Sequence, residues 1–386
     1  MPLFFFLSND LLFRQFMIKY TYHCPTKETT LMEQAASAFL LDGRPVSCQP
    51  IGHGHINETL KICTDTGHQY VLQRINKYVF KDPVKVMENV CAVTDFLYSK
   101  SHDPNTALRF LPTAQGAYYH LDDRGEYWRM YDFVDGFSLE APESDADFYE
   151  SALAFGRFQE LLAGFPAHTL HETIPQFHNT VDRYRLLREA IEADPLGRCK
   201  DAEAEIRFAL QRESVGGTLQ RMHLSGELPL RVTHNDTKLN NVLLNKNTRK
   251  ALCVLDLDTV MPGLSVYDFG DSIRFGASTA TEDEPDTSKV MLDLHLFWVY
   301  TKGFLSAAPS LTQKEIEMLP MGALVMALEL GIRFLTDHLN GDLYFGAAYP
   351  EHNLVRARTQ FALAADMERK WDEMQQIVRT VANENS

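Results

Sequence analysis

The chain has 386 residues, 45% of them hydrophobic and 23% charged, which is ordinary globular composition with length for a core in each of two lobes. A formal net charge of −15 lacks the basic excess of a duplex-binding surface, so no nucleic-acid partner is expected; the charge serves solubility. No apolar run approaches the ~20 residues that span a bilayer, so no membrane is expected either.

Residues 1–29 read as a leader outside the fold. Met1 to Leu7 are apolar but short, and Asn9 and Asp10 follow without a basic stretch or a small-residue cleavage site, unlike a secretory signal. The six cysteines form no CxxC pair and read as reduced thiols of a cytoplasmic protein. A first lobe is expected over 30–135. A helix runs from about Thr30 to Phe39. Strand-like runs then cover Ser47–Ile51, Ile56–Cys63 and Tyr70–Ile75, with the turn Asp65-Thr66-Gly67 between the last two. Pro83 to Tyr98 reads as a helix with Val86, Val90, Val93 and Leu97 on one face. Strands at Ala117–Leu121 and Tyr127–Phe133 follow, then a hinge near Tyr131–Ser138. From 136 to 386 the pattern is helical, opening at Ser144 and Asp147, which resemble a capping box, and interrupted by a strand-like insert between Arg231 and Val260. A last helix is expected over Arg358–Val378, with Trp371 in the core.

The insert carries the chemistry. It holds His234-Asn235-Asp236, Asn241, the strands Val242–Leu244 and Leu252–Leu255, and Asp256-Leu257-Asp258. Phosphoryl transfer from ATP needs one carboxylate to orient the attacking hydroxyl and hard oxygen ligands to hold magnesium against the phosphates. The spacing makes Asp236 the base and Asn241 and Asp256 the metal ligands, while Asp258 either assists or faces the substrate. A literal Asp268-Phe269-Gly270 follows a Pro-Gly loop rather than an apolar strand. Asp268 is therefore expected to be structural, bonding backbone amides of the catalytic loop, with His234 in a supporting role.

This stretch resembles the aminoglycoside phosphotransferase superfamily, whose pattern is a His-x-Asp-x-x-x-x-Asn loop followed by Asp-x-Asp. Within it, the runs THNDTKLNNVLL, DLDTVMPGLSVYDFGDSIRFGA, GHGHINET, LQRIN and GIRFLTDHLNGDLYF are similar to the N-acetylhexosamine 1-kinases, over about Ile51 to Trp371. The resemblance implies an α+β, protein-kinase-like, two-lobed fold: a small antiparallel-sheet N-lobe with one helix and a larger, mostly helical C-lobe. It implies ATP and Mg2+ as cofactors, a small-molecule sugar substrate phosphorylated at its anomeric hydroxyl, and Phe275, Arg333 and Tyr344 near the sugar. A kinase of another small hydroxyl compound, or an inactive kinase-shaped binding protein, are the alternatives. A monomer is expected.

For the nucleotide, Gly52 and Gly54 lie in a turn able to lay backbone amides over phosphates, with Asn57 beside them. No lysine stands on the third strand, so Arg74 is the candidate cation and Glu88 its helix partner, with Gln73 as the other candidate for the position. The hinge Met130–Val134 would offer backbone groups to a base. His53 and His55 are further candidates to reach the sugar. Asp337 and Asp342 are either acceptor contacts or parts of a helix C-terminus capped at Asn340-Gly341.

Overall fold

Short apolar–polar alternations between turn residues make the amino-terminal strands, and the pairing follows from the hairpin turns. The structure is a computed structural model that describes residues 34–51, 57–101, 103 and 106–384. Strands β1 (Pro45–Pro50), β2 (Glu58–Thr64), β3 (Gln69–Ile75), β4 (His120–Leu121) and β5 (Tyr127–Asp132) form one antiparallel sheet in the order β1-β2-β3-β5-β4. Helix α1 (Pro83–Lys100) packs on it. Asp82 caps its first turn by accepting from the Lys85 amide at 3.3 Å, and proline occupies the first helical position.

The sheet sorts its side chains by a period of two. Tyr70 and Leu72 of β3 and Trp128 and Met130 of β5 face an outer cluster with Ala35, Ala36 and Phe39. Val71, Ile75 and Tyr131 face the main core with Val86, Val90, Val93 and Leu97 of α1. That alternation decides the nucleotide side of the site.

Beyond the sheet the chain is mostly helical. Helix α2 (Asp145–Leu161) starts at Ser144, whose hydroxyl donates to Asp147 Oδ2 at 2.8 Å. Helices α3 (Thr180–Ala193), α4 (Glu203–Leu210), α5 (Glu213–Gly216) and α6 (Thr218–Leu224) follow. The expected insert is present as β6 (Arg231–Thr233), β7 (Val242–Leu244), β8 (Ala251–Val254) and β9 (Met261–Gly263), paired β6–β9 and β7–β8. Then come α7 (Ser265–Gly276), α8 (Leu294–Ala307), α9 (Gln313–Glu317), α10 (Leu319–Asn340), α11 (His352–Arg369) and α12 (Trp371–Glu384). This is a protein-kinase-like, two-lobed α+β fold.

Some boundaries differ from expectation. Of the helix expected over Thr30–Phe39, residues 34–37 are helical and 30–33 lie outside the described residues. The strand expected over Ala117–Leu121 shrinks to β4, because the Ala117 carbonyl accepts the Thr113 amide at 2.7 Å and closes a turn. The single C-terminal helix is two, α11 and α12, which meet at Lys370; its ammonium bonds the Leu292 carbonyl at 2.7 Å. Trp371 packs half-buried against the core, as expected. Helix α10 is long and apolar enough by composition to cross a bilayer, with mean hydropathy 1.5, although no such run was expected; 78% of that window is buried inside the fold. It is the central helix of the C-lobe, flanked by α3, α7 and α11.

Gly270 of α7 and Gly322 of α10 let those two helices touch backbone to backbone. A Cβ on Gly270 would fall inside contact distance of the Gly322 carbonyl oxygen and 2.9 Å from the Ala323 amide nitrogen. The glycine of Asp268-Phe269-Gly270 thus serves a helix crossing. Gly270→Ala should cost about 3 kcal/mol by forcing two rigid helices apart, read as a lower urea midpoint at unchanged slope. An unchanged midpoint would mean the crossing relaxes freely.

Candidate active site

The catalytic loop between β6 and β7 hangs from α7. The Asp268 carboxylate accepts the His234 amide at 2.9 Å, the Asn235 amide at 2.8 Å and the Gln159 side chain at 2.6 Å. One turn later Asp271 accepts the Thr237 amide at 3.0 Å, and Ser272 donates to the Thr237 carbonyl at 2.8 Å. These bonds hold the loop on both sides of Asp236. Asp268 therefore sits where the sequence placed it, as a support for the loop.

His234 is buried against the edges of Phe155 and Phe158. Its Nδ1 accepts the Asp236 amide at 3.3 Å, so its Nε2 carries the proton donated to the Leu255 carbonyl at 2.8 Å. One imidazole thus ties the catalytic loop to the residue before Asp256. Asn235 and Asp256 both adopt left-handed backbone, φ 65° and 53°, a conformation that Asn and Asp accept more readily than other side chains.

Asp236, Asn241 and Asp256 converge. Asn241 Nδ2 donates to the Asp236 carbonyl at 2.8 Å and to Asp236 Oδ2 at 3.2 Å, which leaves the side-chain oxygen Oδ1 of Asn241 for another partner. Its backbone carbonyl accepts the Leu255 amide at 2.8 Å, which brings the residue before Asp256 alongside. Lys238 Nζ lies 3.0 Å from Asp236 Oδ1. Burial pulls the Lys238 ammonium down, but Asp236 and Asp271 outweigh it and hold the group charged. Burial, then the carboxylates of Asp258 and Asp236, push the Asp256 carboxyl up to about 7 against the pull of Arg129 and Lys238. Crowded carboxylates of this kind are hard oxygen donors of the type that suits a hard cation. Among the described residues no three His, Cys, Asp or Glu side chains gather into a metal cage. Two carboxylates and an amide fit magnesium, which takes its remaining ligands from phosphates and water.

The nucleotide side requires several corrections. Gly52, His53, Gly54 and His55 lie outside the described residues. Arg74 is on the wrong face of β3. Its neighbours in the alternation, Leu72 and Tyr70, belong to the outer cluster, and its guanidinium pairs with Glu58 at 2.8 Å. Glu88 is exposed on α1 and bonds His171 at 2.7 Å. The inward residue of that helix turn is Asn89, which donates to the carbonyls of His171 (2.8 Å) and Val260 (3.0 Å). The buried cation is Arg129 of β5, directly across from Gln73 in the ladder. Its Nε donates to Gln73 Oε1 at 3.0 Å, and its Nη1 pairs with Asp258. Asn57 serves the same carboxylate, donating to Asp258 Oδ2 at 2.6 Å. Asp258 thus faces neither substrate nor an open metal site. In the hinge, the amides of Asp132 and Phe133 are taken by Arg109 and Gln69 carbonyls at 3.0 Å each, leaving Val134 with backbone groups to offer.

At the acceptor end, Arg333 of α10 lies among the rings of Phe177, Phe345 and Tyr344, at 5.1, 5.3 and 5.9 Å. Phe275 and Phe177 are half-buried, and neither packs on the main core. His178 links this end to the catalytic loop: one ring nitrogen meets the Asn235 carbonyl at 3.2 Å, the other Glu329 at 2.8 Å. Arg183, missed from sequence, donates to the carbonyls of Gln176 and Phe177, and its Nε is buried without a partner. Burial and the neighbouring Arg333 lower the Arg183 guanidinium pKa. Asp337 and Asp342 are structural. Asp337 accepts the amides of Tyr344 (2.8 Å) and Phe345 (2.9 Å), and Asp342 holds Arg198 at 2.6 Å.

Comparison with known proteins agrees with this geometry. The family model described as "Phosphotransferase enzyme family" matches residues 47–290. An aminoglycoside phosphotransferase from Alicyclobacillus acidocaldarius subsp. acidocaldarius DSM 446 superposes with a TM-score of 0.60 at 14% identity, over 94% of this chain and 99% of that one. A microcompartment-associated aminopropanol kinase gives 0.54 at 18% identity, over 90% and 98%. Amicoumacin kinase hAmiN, solved with AMP-PNP, Ca2+ and Ami, gives 0.57 at 13% identity, over 87% and 93%. At such identities the structures speak for the fold, and the family rests on the matched segment, which runs from the first strand through the catalytic loop and the Asp256 loop. With its His-x-Asp loop hung from α7 and its second carboxylate brought alongside, the chain belongs to the phosphotransferase enzyme family.

Proposed function

We propose that this protein transfers the γ-phosphoryl group of ATP to the anomeric hydroxyl of an N-acetylhexosamine, giving the α-sugar 1-phosphate. The observation that carries the phosphotransferase part is the convergence of Asp236, Asn241 and Asp256. Asp236 orients the acceptor hydroxyl and receives its proton, and Lys238 holds that carboxylate in place. Asn241 and Asp256 would hold magnesium, which neutralises the phosphate charge when bound. Positioning and charge neutralisation make up most of the catalysis.

The choice of a neutral acceptor is supported by charge. Arg333 and Arg183 sit together at the acceptor end. The neighbouring carboxylate of Glu329 is occupied by His178 and by Thr180, the latter at 2.7 Å. An ammonium-bearing acceptor would meet two guanidinium groups there, and the Glu329 carboxylate beside them is already bonded. A pyranose instead offers hydroxyls and an acetamide carbonyl to the arginines and an apolar face to Phe177, Tyr344 or Phe275. The N-acetyl preference itself rests on the motif resemblance around GIRFLTDHLNGDLYF.

The test is an acceptor screen with ATP and magnesium across GlcNAc, GalNAc, unsubstituted hexoses, ethanolamine, choline and an aminoglycoside, with phosphorus NMR locating the new phosphate. N-acetylhexosamines should react fastest, at C1. Turnover confined to the amines would overturn the acceptor assignment and leave the phosphotransferase standing. Arg333→Ala should raise the acceptor KM about tenfold or more while leaving the KM for ATP unchanged, the loss expected for a charge-assisted hydrogen bond.

A further inference from the structure

The segment from Asp256 to Val260 is held from both lobes. Thr259 is tied to the catalytic loop, donating to the His234 carbonyl at 2.7 Å and accepting from Asn235 at 2.8 Å, while the Asp258 carboxylate and the Val260 carbonyl are tied to the other lobe. Arg129 of β5 pairs with one oxygen of Asp258, and Asn57, just before β2, donates to the other at 2.6 Å. Asn89 of α1 donates to the Val260 carbonyl at 3.0 Å. Arg129 and Asp258 are each only 2% exposed. Arg129 is aimed by a chain of side chains, since Gln73 accepts from its Nε at 3.0 Å and donates to Thr59 at 3.0 Å. A buried guanidinium spans this sheet-to-loop gap with two bonds set by its rigid planar fork, a geometry that the single nitrogen of an ammonium does not reproduce.

We infer that Arg129 is a positioning residue for the metal-holding loop: through Asp258 it fixes Asp256 relative to the nucleotide-binding sheet, so that seating the N-lobe and ordering the metal carboxylate are one event. The pair stands one strand over from where protein kinases place their lysine–glutamate pair, which must also be in place for that site to work. Arg129 touches no reacting atom. The inference rests on the phosphotransferase reading of the site.

A merely structural ion pair would affect stability alone. Removing one partner strands a buried charge, whereas replacing both with neutral groups is often tolerated. The experiment therefore uses R129K and the double variant R129M/D258N beside the wild type. Melting temperature is followed with no ligand, with ATP, and with ATP over a magnesium titration. Turnover over the same titration is the second readout. The wild type should show a magnesium-dependent rise with ATP. R129M/D258N should melt near the wild type without ligand, yet need about 10–100-fold more magnesium for the ATP-dependent rise, as lost second-layer support of a metal ligand does. Its acceptor KM should be unchanged. R129K should show the same shift, and it carries the test if the double variant does not fold. Wild-type magnesium dependence in a folded R129M/D258N, or in R129K if only that folds, would overturn the inference and leave the phosphotransferase reading intact. A wild type with no magnesium-dependent response to ATP would overturn both.

Discussion

Asp236→Asn should lower kcat about 1000-fold with little change in stability, because the amide keeps the shape but cannot take the proton or orient the hydroxyl as strongly. The side chain is 26% exposed and its backbone is held by His234, so the fold does not depend on its charge. Asp256→Asn should be equally damaging for a different reason. It removes one of two carboxylates facing the cation, and the loss should appear first as a higher magnesium requirement. Its melting temperature should not fall, because the crowding that pushes Asp256 up to about 7 is relieved. Steady-state rates at saturating ATP, with magnesium varied, separate the two. Full activity of Asp236→Asn would remove the base from the mechanism.

Asp268→Ala should be the opposite case, with a large effect on stability and none on metal binding by the molecules that fold. Its carboxylate is buried and accepts two backbone amides and Gln159. Truncation leaves these donors without partners, at about 1–3 kcal/mol for each buried group. A loss of about 4 kcal/mol is therefore expected, measured by urea denaturation. Asp268→Asn keeps one acceptor oxygen and should lose about half as much. Magnesium-dependent ATP binding by folded Asp268→Asn should match the wild type. Selective loss of magnesium binding there would return Asp268 to the metal site.

The contrast between Asp256 and Asp268 was legible in the chain, because one follows an apolar strand and the other a Pro-Gly loop that opens a helix. The acceptor candidates Arg333, Tyr344 and Phe275 came from motif resemblance, and the approach of Arg333 to Tyr344 became visible only in three dimensions. Lys238 was within reach of sequence reasoning, two residues past Asp236 in HNDTKLNN. Arg129 left a fainter mark, as a lone charge in the middle of the otherwise apolar and aromatic run Tyr127–Tyr131.

By itself the order of residues determined the strand-then-helix layout and the loop that carries Asp236 and Asn241. It determined the strand delivering Asp256 as well, because these depend on local periodicity and on spacing within about 25 residues. Only the tertiary structure decided which cation faces the cleft. That choice depends on the pairing register of β3 with β5: a step of one residue along a strand turns a side chain to the opposite face. Arg74 therefore points to the outer cluster while Arg129, distant in sequence, meets Asp258.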